Sequence, residues 1–193
     1  GDEAHLLGYV TSPSVNVDLT IPSHVTSSGS QVTVTAIASR AFYEGYYIKD
    51  LIIPSTIQEI QANAFERAHN IASITFEAGS ELETIGRQAF WNVSNVEELT
   101  LPDGLKTIQS NAFSYMYDLQ LLEIPSSVST VEYGIIRGSQ AESLIVMVAD
   151  SNQVSDWDIN WNPNNAQVYY GDQLTVTNDD TFEYFIIDGE ATI

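Results

Sequence analysis

A chain of 193 residues with 26 acidic and 6 basic side chains carries a net charge of −20. It repels phosphate backbones and anionic lipid, so neither nucleic acid nor a membrane surface is an expected partner. The absence of cysteine excludes disulfides, a thiolate nucleophile and cysteine-ligated zinc, and no apolar run reaches the ~18 residues of a membrane-spanning helix.

The chain opens on Gly1, without Met or a signal peptide, so a targeting segment is expected to have been removed. Residues 1–35 hold three alternating stretches, at 6–10, 15–21 and 31–34, parted by Thr-Ser-Pro-Ser and Ser-Ser-Gly-Ser turns. Alternation broken by such turns predicts strands, read here as an antiparallel β-hairpin cap.

From residue 36 one phrase recurs: Ile37-Ala-Ser-Arg-Ala-Phe42, Ile60-Gln-Ala-Asn-Ala-Phe65, Ile85-Gly-Arg-Gln-Ala-Phe90 and Ile108-Gln-Ser-Asn-Ala-Phe113. A degraded copy, Val131-Glu-Tyr-Gly-Ile-Ile136, follows at the same spacing. A period in the 20–29 range predicts a stack of similar units, each unable to bury its apolar face alone. Within each unit an alternating apolar triplet closed by proline, as in Leu51-Ile-Ile-Pro54, Leu99-Thr-Leu-Pro102 and Leu122-Glu-Ile-Pro125, predicts a short strand. Successive strands should pair in parallel and the Phe side chains should form an internal ladder. After each Ala-Phe another aliphatic residue follows at helical spacing. Ala41, Phe42, Gly45 and Ile48 share one face, as do Ala112, Phe113, Met116 and Leu119, which predicts a short helix of roughly two turns. The one irregularity is two extra residues within Glu77-Ala-Gly-Ser-Glu81, where Gly-Ser tolerates a bulge.

The full pattern, clearest in Val96-Glu-Glu-Leu-Thr-Leu-Pro-Asp-Gly-Leu-Lys-Thr-Ile-Gln-Ser-Asn-Ala-Phe113, resembles the BspA-like leucine-rich repeats over roughly residues 18–148. The segment from Trp157 to Gly171 is similar to the Trp-Asn-Pro…Val-Tyr stretches that close such arrays. The resemblance implies an α/β repeat solenoid, a right-handed superhelix of short parallel strands and short helices. It also implies a secreted or cell-surface protein, typically bacterial, used in adhesion or host interaction. The family shares no catalytic residues. The fifth repeat departs from the pattern by losing Ala-Phe. The expected organisation is a leucine-rich repeat domain over 1–171, with a cap at 1–35, about five repeats over 36–149 and a second cap at 150–171. In that second cap Trp157, Trp161 and Tyr169 should lie over the last repeat. Residues 172–193 read as a strand-rich extension that begins another module.

Little in the chain points to catalysis. Asp156-Trp-Asp-Ile-Asn160 places oxygen ligands at positions 1, 3 and 5 of a calcium loop, but Trp161 and Gln167 stand where Gly and Glu belong, so a polar turn is the better reading. His5, His24 and His69 form no ligand pair, and no phosphate loop, nucleophile elbow or zinc-protease motif is present. No metal, cofactor or active site is expected, and a monomer is.

Two surfaces remain as candidates. Flanking the Phe ladder, Tyr43, Tyr46, Tyr47, His69, Trp91, Tyr115 and Tyr117 fall at offsets expected to point outward. They either pack laterally on their neighbours or offer aromatic area for a protein or glycan contact. The outward strand positions form a mildly acidic strip that includes Asp50, Thr75, Glu98, Thr100 and Glu123. The leading expectation is a non-enzymatic, extracellular protein-interaction or adhesion module whose partner is a protein, a host extracellular protein among the candidates. The alternatives are a carbohydrate-binding module using the Tyr/Trp ridge and a structural spacer in a larger surface protein.

Overall fold

A computed structural model describes residues 3–6, 16–140 and 144–171, and the strand backbones of 175–179, 182–187 and 190–192. The strands in chain order are β1 (Glu3–Leu6), β2 (Val17–Thr20), β3 (His24–Ser27), β4 (Ser30–Ile37), β5 (Ile48–Ile53), β6 (Glu59–Ile60), β7 (Ser73–Phe76), β8 (Thr84–Ile85) and β9 (Glu98–Thr100). They continue with β10 (Thr107–Ile108), β11 (Leu121–Ile124), β12 (Thr130–Val131), β13 (Ile145–Val148), β14 (Gln167–Tyr170), β15 (Thr175–Asp179), β16 (Phe182–Ile187) and β17 (Glu190–Thr192). Most of the strand predicted at 6–10 lies outside the described residues.

The period becomes a coil of about six turns, each adding a strand to two separate walls. One wall runs β1-β4-β6-β8-β10-β12, with β3 also on β4. Its parallel register aligns Ile37, Ile60, Ile85, Ile108 and Val131, the first residue of each repeated phrase. The other wall carries the alternating triplets in two pieces, β2-β5-β7 and β9-β11-β13-β14. Within the second piece Leu99, Leu122, Val146 and Val168 align in parallel. Apolar residues recur in register because a one-residue slip would turn them outward.

The short helices expected after each Ala-Phe are not formed; a run of tight turns replaces them. Two residues per repeat, placed two before and two after the Phe, have a positive φ: Arg40 and Glu44 (60° and 55°), Asn63 and Arg67 (63° and 62°), Gln88 and Asn92 (56° and 58°), Asn111 and Tyr115 (59° and 61°). A right-handed helix cannot pass through such residues. The backbone hydrogen bonds show what is gained. Ala41, Tyr43 and Gly45 donate back three residues within their own turn, while Arg40, Phe42 and Glu44 donate to Ala62, Ala64 and Glu66 of the next turn at 2.7–3.2 Å. The same alternation recurs at Asn63, Phe65 and Arg67, and again at Gln88, Phe90 and Asn92. A two-turn helix is marginal on its own, whereas this arrangement makes a third wall of inter-turn bonds.

That geometry also explains the degraded fifth repeat. Gly134 and Gly138 occupy its two left-handed positions, with φ of 66° and 76°, and Ile135 and Ile136 fill the buried places of Ala and Phe. In the third repeat Gly86 replaces a side chain that elsewhere reaches the preceding turn: Gln61 accepts from the Ser39 N–H, Gln109 from Arg87 and Glu132 from Ser110, at 2.9–3.1 Å. At Gly86 a Cβ would lie 2.8 Å from the Ala62 nitrogen, so the turns approach closely there.

The core is one continuous column. Phe42, Phe65, Phe90 and Phe113 stack with ring centroids 5.1, 5.3 and 6.0 Å apart and planes within 14° of parallel, as the phrase predicts. At the N-terminal end β3 and β4 form an antiparallel hairpin. It closes through Ser28 and Gly29, both with positive φ as two-residue hairpin turns require. β1 joins β4 in parallel and β2 joins β5 in parallel, so this region is not wholly antiparallel. At the other end a 3-10 helix, Ser151–Asp156, leads to Trp157. Trp157 is buried and meets Trp161 edge-on at 5.2 Å. Asp158 and Asn160 bond through their backbones to Val131 and Gly134 of the last repeat. The strand-rich tail forms an antiparallel sheet, β15-β16-β17.

Candidate functional site

The turns around the Phe ladder set their outward side chains in rows, because each offset repeats at the pitch of the coil. Tyr46 and His69 hold the same offset and stack at 5.7 Å with planes 19° apart. The His69 Nδ1 lies 3.5 Å from the hydroxyl of Ser94, the next residue in that row. Trp91 meets Tyr115 edge-on at 5.2 Å, and Tyr115 meets Tyr117 at 6.1 Å. The Arg40 guanidinium sits 5.7 Å from the Tyr43 ring centroid, a cation–π contact. Lateral packing and exposure therefore coexist: Tyr43, Tyr46 and Tyr117 remain 38%, 44% and 43% accessible while touching neighbours. Tyr47 is only partly exposed and packs against the core.

Charge organises the start of this row. Arg67 pairs with Glu44 at 3.4 Å, and its guanidinium is held above its ordinary pKa by a hydrogen bond with Tyr43 and by Glu44. Partial desolvation, and then Glu44, push the Tyr46 phenol up from its ordinary value. Asn70 donates to the Tyr46 carbonyl, tying that turn to the next.

The strip on the strand wall divides. Asp50 accepts from the Ser73 hydroxyl at 2.6 Å and pairs with Lys49 at 3.1 Å; Ser73 first and Lys49 second hold its carboxyl below the usual range. Thr100 donates to Glu123 at 2.6 Å. Thr75 stands on β7 and Glu98 and Thr100 on β9, and these two strands belong to different sheets. The register also extends the strip beyond the residues singled out from sequence: the Thr100 and Glu123 row continues to Met147 and Tyr169.

No group of metal-ligating side chains occurs among the described residues. Asp158 caps the Asn160 N–H at 2.8 Å, as a polar turn does. No helix among the described residues is long and apolar enough to cross a membrane.

Parallel walls, a repeated aliphatic column and outward rows define a leucine-rich repeat solenoid, a scaffold class that presents surface. The chain belongs to the BspA type leucine-rich repeat family, whose pattern matches residues 22–143 in 6 copies; that pattern describes a repeat region and indicates no catalytic family. Solved structures agree on the fold. The pneumococcal vaccine antigen PcpA is 30% identical over 72% of this chain and 42% of its own, with a TM-score of 0.57. A leucine rich cell surface protein from Faecalibacterium prausnitzii A2-165 is 22% identical over 88% of this chain and 51% of its own, with a TM-score of 0.55. The Treponema pallidum (T. pallidum) leucine rich repeat protein is 21% identical over 76% and 74%, also at 0.55. The chain thus spans about half or less of the first two. A comparison with curated proteins gave no match.

Proposed function

We propose that this chain is a non-enzymatic protein-interaction module of a secreted or cell-surface protein, and that its aromatic row contacts an extracellular protein partner. The observation that carries this reading is the series Tyr46–His69 and Trp91–Tyr115–Tyr117, whose rings are held by one another yet remain partly open. Rings already fixed by neighbours lose little freedom on binding and bring large contact area, which is why aromatic residues dominate interface energetics. The surface origin is supported by the F. prausnitzii relative, which is described as a cell surface protein. Adhesion to a host protein is the specific form proposed.

A glycan partner is the second reading, favoured by the accessible Tyr46 and Tyr117 rings. Parallel screens of immobilised extracellular-matrix and plasma proteins and of a glycan array test the choice. Saturable binding to a protein supports the first reading. Glycan binding alone would replace it, and binding to neither would leave only the spacer role.

A further inference from the structure

The 6 basic residues of this chain are not spread evenly over it. Arg40, Arg67, Arg87 and Arg137 all stand on the wall of tight turns that carries the aromatic row. Two of them are engaged internally: Arg67 pairs with Glu44 at 3.4 Å, and Arg40 lies over the Tyr43 ring. Arg87 and Arg137 are exposed. The ion pairs among the described residues join Lys49 to Asp50, Arg67 to Glu44 and Lys106 to Glu83, so neither guanidinium has an acidic partner there. That is unexpected in a chain where acids outnumber bases 26 to 6. Backbone bonds between turns fix both beside the rings. Asn92 donates to the Ser114 carbonyl at 2.8 Å and Tyr115 to the Arg137 carbonyl at 2.7 Å. Trp91, Tyr115 and Arg137 therefore follow one another on consecutive turns, and Arg87 opens the turn that holds Trp91.

Acids avoid the same three turns. Residues 84–96, 107–117 and 133–140 include no Asp or Glu. Glu132, at the border, is turned to Ser110, accepting from its N–H at 2.9 Å and from its hydroxyl at 2.6 Å. A molecule of net charge −20 thus carries one window that is neutral except for two unpaired guanidiniums set around Trp91 and Tyr115. Tyr117 and Tyr133, 43% and 39% accessible, belong to the same turns. At physiological salt a surface charge reaches only about 8 Å, so the window, and not the acids elsewhere, selects what docks on it. The net charge still excludes long polyanions that would lie across the whole surface. A guanidinium fork matches a carboxylate in bidentate fashion, and the rings beside it supply contact area. Arg87 and Arg137 stand two turns apart, roughly 10 Å along a coil of ~4.8 Å per turn, within reach of one short segment. We infer that the Trp91–Tyr115 centre of the aromatic row docks an aspartate- or glutamate-bearing segment of a protein partner, whose carboxylates pair with Arg87 and Arg137. The inference rests on the protein-interaction reading and names the chemistry of that partner.

The test uses a fluorescent peptide of glutamate, leucine and serine, followed by anisotropy on the full chain at physiological salt. Two further probes accompany it: the same peptide with every glutamate replaced by glutamine, and a glucuronate-containing oligosaccharide, which offers carboxylates without a polypeptide. The expected result is saturable binding of the glutamate peptide, weakened roughly tenfold or more by the glutamine replacement and by R87Q/R137Q. K49Q/K106Q removes the same charge from the pairs with Asp50 and Glu83 and should leave binding unchanged. All four of these side chains are exposed, so both variants should fold, which circular dichroism checks. Absent binding, equal binding of the glutamine peptide, or undiminished binding by R87Q/R137Q would overturn the inference. An equal loss in K49Q/K106Q would do so too, by assigning the effect to net charge. Equal or tighter binding of the oligosaccharide would assign the window to an acidic glycan instead. A protein partner lost on W91A/Y117A substitution but retained by R87Q/R137Q would overturn this inference alone and leave the aromatic row as the interface.

Discussion

The ring of Tyr115 lies across Gly138 of the following turn, so closely that a Cβ there would fall 2.5 Å from the ring edge. The same ring contacts Trp91 and Tyr117. A glycine in a repeat that has lost the Ala-Phe mark thus sets the position of the central ring in the candidate surface.

Gly138→Ala should therefore act twice. It places a side chain at φ 76° and displaces Tyr115, at an expected cost of about 1–3 kcal/mol from backbone strain alone. Urea denaturation checks the loss. Heteronuclear NMR should show the Trp91 indole resonance move, and an unchanged Trp91 signal would argue against the coupling.

Phe90→Ala removes the ring between Phe65 and Phe113 and should cost about 3–5 kcal/mol, as truncations of buried aromatics do. Turns touch only their neighbours, so hydrogen exchange should accelerate most in the turns beside residue 90. Uniform acceleration across all described turns would contradict the nearest-neighbour picture.

The left-handed positions make an ordered prediction at Gln88, where φ is 56°. Gln88→Gly should be nearly neutral, since glycine adopts this region freely while giving up one weak contact at 3.4 Å with Asn63. Gln88→Val should cost about 1–3 kcal/mol because a β-branched residue is strained there. Equal stability of the two variants would show that the turn relaxes.

Asp50 gives a pH prediction. Its folded carboxyl is held below the ordinary value by Ser73 and Lys49. Its small contribution is thus present above the unfolded pKa and disappears as pH falls through the folded one. Ser73→Ala removes the larger cause, so the Asp50 titration followed by NMR should move up toward the usual carboxylate range. An unmoved midpoint would assign the shift to Lys49.

The period, the parallel strands and the Phe stack were legible because each is a buried column in which the same residue type must recur. The helices were misread because Ala41, Phe42, Gly45 and Ile48 face inward in a helix and in a run of turns alike. The distinction lies in positive φ at Arg40, Glu44, Arg67 and Gln88, residue types that give no warning of it. Asn63, Asn92, Asn111, Gly134 and Gly138 carried the signal, read in register. The residues 77–81 showed their extra length in the sequence, but not that β7 and β9 would part, since that depends on a strand over twenty residues away.

Comparing the wild-type chain with a W91A/Y117A variant for binding to a protein partner found among immobilised extracellular proteins tests the central claim most directly. Both side chains lie outside the Phe column, so circular dichroism and thermal melting should show the variant folded. The account predicts that its binding weakens tenfold or more, about 1.4 kcal/mol. Undiminished binding by a folded variant would contradict the assignment of the interaction to the aromatic row.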